Sequence, residues 1–560
     1  RPLDFVARSR SHVACIPPDA AGRRLFVFGG AGRAAIDGAD PSDICYVVVG
    51  ATPDELRERG FVAVDASSFG VFNDSDHDEW TLARTVMESG DDRGDESVGA
   101  SDDDVTIHDA LCGHDLRMNG MAIQLQPLSE PPASVDSDSI TPFSVPSGSP
   151  ADHDAAAGFD AETFLIDPFG GVNDVRSGEI THISGALAED PIRVLRAARY
   201  RSRYVHSPEG PDSVSADAPD TVPFGLTPST RTRMRNVSPE LNRMSRNRIG
   251  GEIRKAMQHA VDPPIFWRTL RAVGALAVLV PTLDRGTIVP AGPDMYHREG
   301  DVFAHTMLVL EEMHELCCAR DITGTARVRR YLMAIAHDLG KVPIADERGG
   351  LRSDDPPTRF SGHAAAGTEV VSDLVDRLGL PNHFEAAMRD AASLHMDFHD
   401  LLSKHPADII RLVDNHTTAK TAETPTFATV WELLDLAQAD EQGRLQNRGL
   451  YDNEDSAQYT EDPDAPDDAV QPVFDRERYA AVIGAAHTAI DTIDGFRALR
   501  TGLCETHSDT DIDNVDLQET LRTCTHCRTP DPWVADELTI LRVDKFTDLA
   551  SPKADSCDAG

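Results

Sequence analysis

The chain has 560 residues, a hydrophobic share of 40% and a formal net charge of -41. That length can bury several cores and predicts two to four domains. No window approaches the run of about 18 apolar residues that a membrane-spanning helix needs, which argues against a membrane partner.

The charge has an unusual origin. Lysine is confined to Lys255, Lys341, Lys404, Lys420, Lys545 and Lys553, so arginine supplies most of the positive charge. A disordered acidic chain and a folded chain adapted to concentrated salt both fit such a balance. The acidity is spread over sequence that also carries core patterns, which favours the second and a high-salt cell interior. An acidic surface repels phosphate backbones over about 30 Å at 0.01 M salt, but over only about 3 Å at 1 M. RNA therefore stays a candidate partner, through local arginine patches. The 9 cysteines are scattered and odd in number, and no signal peptide is expected ahead of them. A disulfide framework is not expected. The expected setting is cytoplasmic, and a chain starting at Arg1 is expected to lack a few leading residues.

In chain order, residues 1–24 read as a leader. LFVFGG (25–30) is a short apolar strand ending in two glycines, and CYVVVG (45–50) is a second buried strand. TPDELRERG (52–60) is a short helix: Thr52 caps it, Pro53 opens it and Gly60 stops it. FVAVD and EWTLAR add strand material. Residues 86–108 are polar and Asp-rich. Residues 127–158, rich in Pro, Ser and Asp, read as a mobile insertion, and 206–228 as a polar loop. From about 186 helical spacing dominates: Ile192, Leu195, Ala198 and Arg199 share a helix. IFWRTLRAVGALAVLVPTLD (265–284) reads as a helix, a Gly-marked break and a second apolar segment. Amphipathic helices fill 300–445. An acidic linker at 451–470 precedes one more helix and a Cys-bearing tail.

His305 lies in DVFAHTMLVLEEM, His337 and Asp338 in AIAHDLGKV, and Asp440 in LLDLAQADEQGR. A divalent metal needs several N and O ligands converging from different elements, and these helices offer them. His363, in FSGHAAAG, and the pair His395 and His399, in SLHMDFHDL, are candidates for a second metal position. Two adjacent metals activate water and neutralise a phosphoryl group. His297, His314, His383 and His405, taken singly, read as ordinary histidines. The ordered series His305, His337-Asp338, Asp440 resembles the HD superfamily of metal-dependent phosphohydrolases over about 300–445. The resemblance implies catalytic roles for His337 and Asp338. It also implies Ni²⁺, Co²⁺, Mn²⁺ or Mg²⁺ as cofactor and a small phosphomonoester or cyclic phosphodiester as substrate. Lys341 is a candidate contact for a substrate phosphate, or a helix-end cation.

A second constellation begins with FVFGGAGR (26–33), where glycines after a strand allow close approach to a triphosphate. It continues through Asp43 before the VVVG strand, EWTLAR, HDLRMNGMA (114–122), LIDPFGGVND (165–174), EDPIRVLRAARY (189–200) and NRIGGEIRKAM (247–257). This order resembles class II tRNA nucleotidyltransferases, the CCA-adding enzymes and their poly(A) polymerase relatives. The resemblance covers roughly 25–445, and long bacterial members continue into an HD domain.

It implies an α+β fold: a polymerase-β-like nucleotidyltransferase head with a mixed sheet, a helical neck and an all-helical HD domain. The expected ranges are 25–180 for the head, 181–290 for the neck and RNA-binding region, 295–450 for the HD domain and 451–560 for linker and tail. The family joins nucleotides from CTP and ATP to a tRNA 3′ end, using Mg²⁺ held by carboxylates. Asp43 matches the first carboxylate of the family's Asp-x-Asp pair and Glu79 the third acidic position. Gly29, Gly30 and Arg33 match the phosphate loop, Asp115 and Asn119 the following helix, and Glu189, Asp190, Arg193 and Arg196 the base-selecting motif.

Departures concentrate on catalysis. Cys45 stands where the second carboxylate belongs, and Mg²⁺ prefers hard oxygen donors. Ala34 replaces an Asp, and Gly113-His114-Asp115 stands for Arg-Arg-Asp. Three readings follow: an active nucleotidyltransferase with an unusual metal site, a nucleotide- and RNA-binding relative carrying an active HD phosphohydrolase, or an RNA-binding scaffold with both sites silent. The thiol at Cys45 favours the second. In the tail, Cys504, His507, Cys524 and Cys527 form a CxxH and a CxxC pair with spacing suited to Zn²⁺.

Overall fold

A computed structural model describes residues 24–37, 45–64, 71–74, 79–83, 105–125, 140–142, 164–183, 185–206, 222–293, 297–347, 360–417, 428–444 and 474–500. Asp43 and the four tail ligands Cys504, His507, Cys524 and Cys527 lie outside them. The chain forms two compact units: 1–244 with 259–278, and 245–258 with 279–560. The range expected as a neck is thus divided between them.

The first unit is built on an eight-stranded sheet in the order β3-β4-β5-β2-β1-β6-β8-β7. Its strands are β1 (Arg24–Phe28), β2 (Cys45–Val49), β3 (Val62–Ala63), β4 (Val71–Asn73), β5 (Glu79–Leu82), β6 (Ala122–Gln124), β7 (Ile140–Pro142) and β8 (Phe164–Ile166). All neighbouring pairs run antiparallel except β2 and β5. β1 and β2 lie at the centre, which is why both read as continuous apolar runs rather than alternating ones. Beyond them, Trp80 is fully buried, stacks on Tyr46 at 4.5 Å between centroids and donates to Asp74 Oδ2 at 3.0 Å.

Between strands run α1 (Gly30–Asp37), α2 (Pro53–Glu58), α3 (Ile107–Cys112) and α4 (Gly171–Ser177). α2 starts as its sequence predicts. Thr52 accepts from the Glu55 amide while Glu55 reaches back to the Thr52 amide, a reciprocal cap. Two expectations need correction. Ile140–Pro142, inside the stretch read as a mobile insertion, pairs with β8 at the sheet edge, the position in a sheet where proline is tolerated. The segment read as a loop over 206–228 has paired ends: Val205–His206 with Val222–Pro223, and Gly225–Leu226 with Glu179–Ile180.

The helices α5 (Ala186–Glu189), α6 (Arg193–Arg203) and α7 (Pro228–Val237) follow. The chain then gives α8 (Arg246–His259) almost entirely to the second unit and returns as α9 (Pro263–Ala272) and α10 (Ala275–Leu279). The break between α9 and α10 falls at Gly274, whose φ of 76° suits glycine.

Among the described residues of the second unit, the regular elements are helices and the only β pairing is an isolated bridge between Pro290 and Asp301. They comprise α11 (Pro281–Arg285), α12 (Val302–Ala319), α13 (Gly324–Ala336), α14 (Lys341–Glu347), α15 (His363–Leu378), α16 (Asn382–His399), α17 (Pro406–Thr417), α18 (Val430–Gln442) and α19 (Arg476–Arg500). α12, α13, α16 and α18 pack as a bundle around Leu310, Met313, Tyr331, Leu332, Phe398 and Leu433. Gly250 of α8 lets that helix touch the turn between α15 and α16: a Cβ there would lie 2.6 Å from Gly379 O.

Candidate functional site

Six expected residues of the second unit converge. His305 sits in the first turn of α12, whose start is fixed by Asp301 accepting from the Ala304 amide at 2.7 Å. His337 ends α13 and Asp338 follows in the turn before α14. His363 opens α15, His395 lies in the last turn of α16, and Asp440 near the end of α18. Four helix ends and the turn after α13 therefore meet at one point, where side chains can converge without a helix axis passing through.

The imidazole protons are set by backbone carbonyls, which can only accept. His337 Nδ1 donates to Ala334 O at 2.8 Å, and His363 Nδ1 to Phe360 O at 2.8 Å. His395 Nδ1 donates to Ala391 O at 3.1 Å and Ala392 O at 3.2 Å. Each Nε2 therefore presents a lone pair. His337 Nε2 is buried without a hydrogen-bond partner. His363 Nε2 and His395 Nε2 face each other at 3.1 Å. Two neutral imidazoles so oriented repel; a shared proton or a cation relieves them.

Carboxylates close the set. His305 Nε2 is 3.0 Å from Asp440 Oδ1 and 3.7 Å from Asp338 Oδ2. Asp338 Oδ1 is 3.7 Å from His363 Nε2 and 3.6 Å from His395 Nε2. His305, His337 and Asp440 form one group able to hold an ion, and Asp338, His363 and His395 another. All six are buried except His363, which is partly exposed. Burial opposes charge on Asp338 and Asp440, but Lys341 and His337 hold the first carboxyl well below its usual range and His399 does so for the second. Burial would lower His305, yet Asp440 and Glu299 raise it to about 9. Burial pushes His395 down to about 3, against the pull of Asp338. The unpartnered lone pair of His337 and the opposed lone pairs of His363 and His395, beside buried carboxylates, fit a divalent cation.

Other residues enter where the sequence did not place them. His297, read as ordinary, contacts Glu299 Oε1 through Nδ1 at 2.8 Å. Glu299 was not singled out at all; the available signal was a His and a Glu just ahead of the Asp301 cap. His399, expected with His395 at the second metal position, instead contacts Asp440 Oδ2 through Nε2 at 2.6 Å, beside the first group. Lys341, considered for a substrate phosphate, is buried and donates to Asp338 Oδ2 at 2.7 Å and Ala291 O at 2.6 Å. It neutralises the site carboxylate instead of facing solvent.

Gly340 explains the remainder of HDLGK. A Cβ there would lie 1.9 Å from His363 O and 2.5 Å from Gly367 N. The turn carrying His337 and Asp338 can meet the first turn of α15 only without a side chain.

In the first unit the expected nucleotide residues form a connected polar chain. Arg33 is buried, hydrogen-bonds Asn119 Oδ1 and lies over the Tyr204 ring at 4.5 Å. Asn119 Nδ2 donates to Asp115 Oδ1 at 2.9 Å, and Arg196 Nε is 3.0 Å from Asp115 Oδ2. Arg193 donates to Gly113 O at 2.9 Å and lies 3.9 Å from Glu189, whose side chain is exposed; Asp190 is half-buried. The 113–115 segment is thus tied to α6. Gly29 turns the chain at φ 69° and Gly30 begins α1. Asp167 caps α4 through the amides of Gly171 at 2.7 Å and Val172 at 2.9 Å, which accounts for the DPFGG order locally. Glu79 is exposed and stands directly across from Cys45 in the parallel β2/β5 register. Among the described residues, no metal-binding group of three His, Cys, Asp or Glu lies in this unit.

No family model matches the sequence. The chain is similar to a solved CCA-adding enzyme in complex with CTP, with a TM-score of 0.50 at 14% identity, over 99% of this chain and 96% of that one. The Thermotoga maritima CCA-adding enzyme complexed with tRNA-CCA matches with a TM-score of 0.45 at 14% identity, over 93% and 94%. A CCA-adding enzyme in its apo form I matches with a TM-score of 0.45 at 15% identity, over 99% and 95%. The first of these likenesses establishes a shared mixed α+β fold.

Proposed function

We propose that the second unit is an HD-type metal-dependent phosphohydrolase, joined to a nucleotidyltransferase-like head that binds nucleotide and RNA but has lost or weakened polymerisation. The observation that carries this reading is the buried His337 Nε2, which has no hydrogen-bond partner, lies 3.4 Å from Asp338 Oδ2 and belongs to one of two groups of ligands. His305, His337, Asp338 and Asp440 are the ligands, with His363 and His395 completing a second position. A bound divalent ion supplies Lewis acidity to a water and to the phosphoryl oxygens. The chain does the rest: Lys341 holds Asp338 ionised, His399 orients Asp440, and backbone carbonyls keep the Nε2 atoms of His337, His363 and His395 free to ligate. The substrate class is a small phosphomonoester or cyclic phosphodiester.

For the head, the fold likeness to a CCA-adding enzyme holding CTP supports CTP as a partner, and the motif resemblance extends the proposal to ATP and to a tRNA or other RNA 3′ end. Cys45 beside Glu79 argues against a Mg²⁺ pair at that edge. The alternative, a scaffold with both sites silent, has to leave the ligand convergence without a use.

Two measurements test the reading, both in high salt. Purified protein with Mn²⁺, Co²⁺, Ni²⁺ or Mg²⁺ should hydrolyse a phosphoester panel, and His337→Ala should abolish it; unchanged turnover in that variant refutes the assignment. Incubation with tRNA lacking its 3′ end and labelled CTP or ATP should give no extension, whereas efficient extension would overturn the proposed loss of head chemistry.

A further inference from the structure

We infer that Glu299, steadied by His297, is the positioning residue that selects which nitrogen of His305 faces the metal. This rests on the metal-centre reading above and adds a residue to it. His305 differs from the other site histidines because no carbonyl takes its Nδ1. That nitrogen instead lies 2.8 Å from Glu299 Oε1. The same oxygen lies 2.8 Å from His297 Nδ1, and the two rings meet edge to face at 4.8 Å between centroids. Glu299 and His305 are both buried, with side-chain exposures of 2% and 0%.

A buried carboxylate is expensive unless its oxygens are matched. Here a whole turn is shaped to present it. Gly300, at φ 91°, reverses the chain immediately after it. Gly292 leaves room for the His297 ring, since a Cβ there would lie 2.3 Å from His297 Cδ2. The turn is closed by Ala291 N–H to Gly300 O at 2.9 Å and by Val302 N–H to Val289 O at 2.9 Å. Lys341 pins it to the site through Ala291 O.

Glu299 Oε1 lies against Nδ1 as an ion-pair contact rather than an aligned hydrogen bond, which leaves His305 Nε2 for the metal side, where Asp440 lies 3.0 Å away. A carboxylate behind a ligating imidazole fixes its tautomer and raises its donor strength, and losing such a partner costs about 10- to 100-fold in metal affinity.

The test uses full-length protein stripped with chelator and titrated with Co²⁺ alone. Heat of binding and the visible spectrum of the bound ion are read together, and apo melting checks folding. Glu299→Leu should bind Co²⁺ about 10- to 100-fold more weakly, with an altered spectrum. Glu299→Gln keeps an oxygen acceptor without the charge and should bind Co²⁺ with an affinity between those of Glu299→Leu and the wild type. A folded Glu299→Leu protein with wild-type affinity and spectrum overturns the inference. Should Glu299→Leu fail to fold, Glu299→Gln decides: a weaker Co²⁺ complex at unchanged apo melting supports it, and an unchanged complex overturns it. A wild-type protein that takes up no Co²⁺ sinks the metal-centre reading and this inference together. Loss of binding in His337→Ala but not in Glu299→Leu sinks only the inference.

Discussion

Replacing Gly340 with alanine puts a methyl group in place of a hydrogen at a crowded point of the second unit. The new Cβ would sit 1.9 Å from His363 O, 2.5 Å from Gly367 N and 2.9 Å from Gly367 Cα. Ordinary contact is about 3.5 Å, so the two segments must part by roughly 1.5 Å. The atoms struck are backbone, so no rotamer relieves them. Overpacking of this kind costs about 1–3 kcal/mol, and the upper end applies where only backbone can yield. At roughly 2–4 °C per kcal/mol, melting should fall by about 6–12 °C. The segment pushed away begins with His363, whose Nε2 is 3.1 Å from His395 Nε2 and 3.7 Å from Asp338 Oδ1. Metal affinity and hydrolysis should therefore fall further than stability does. Gly251→Ala in α8 is the matched control, because a Cβ there meets nothing within 4 Å. It should stabilise by about 0.5–1 kcal/mol and leave activity alone. Calorimetric melting of both variants, with Co²⁺ titrations, makes the comparison. A Gly340→Ala protein that melts and binds like wild type would refute the packing argument.

Asp435 is buried and contacts Arg320, with Arg330 Nε at 2.8 Å and Arg476 Nη2 at 2.7 Å. Asp435→Ala leaves those cations facing one another and should cost about 2 kcal/mol, a value already discounted because the guanidinium groups are part-exposed. Denaturant curves at low and molar salt should show the loss shrinking as salt rises; equal losses would exclude a charge origin. Asp174 is buried in α4, and burial raises its carboxyl to about 6. An acid whose folded value lies above its unfolded one binds its proton more tightly when folded. Its favourable contribution is therefore full at low pH and is lost as pH rises from about 4 to 6. Asp174→Asn should gain about 1–2 kcal/mol at pH 7 and nothing near pH 4. Stability profiles of the two proteins that run parallel across that range would contradict this.

Local signals proved readable where chemistry is local. Thr52, Pro53 and Glu55 write out a helix start within four residues, and CYVVV carries the unbroken apolar run of a central strand. The site histidines were legible because each sits at a helix end next to an apolar face. What escaped depends on distance in space. Nothing near Glu299 in sequence says that its oxygen meets His305 from the far side, because a hairpin of backbone bonds between 289 and 302 creates that meeting. Gly340 could be quoted as part of a motif, but its reason lies 23 residues on, at His363 O. The strand at Ile140–Pro142 was hidden by surrounding Pro, Ser and Asp, since three residues on a sheet edge need little apolar content.

The last described helix has an anchoring role of its own. Tyr479 of α19 donates to His399 O at 2.7 Å, and Arg476 grips Gln438 at 2.7 Å and Asp435 at 2.7 Å. Those partners belong to α16 and α18, which also carry His395 and Asp440. A single protease nick between residues 444 and 474 would therefore not release the C-terminal fragment. The two pieces should co-purify, and separately expressed halves should find each other and restore the cut protein.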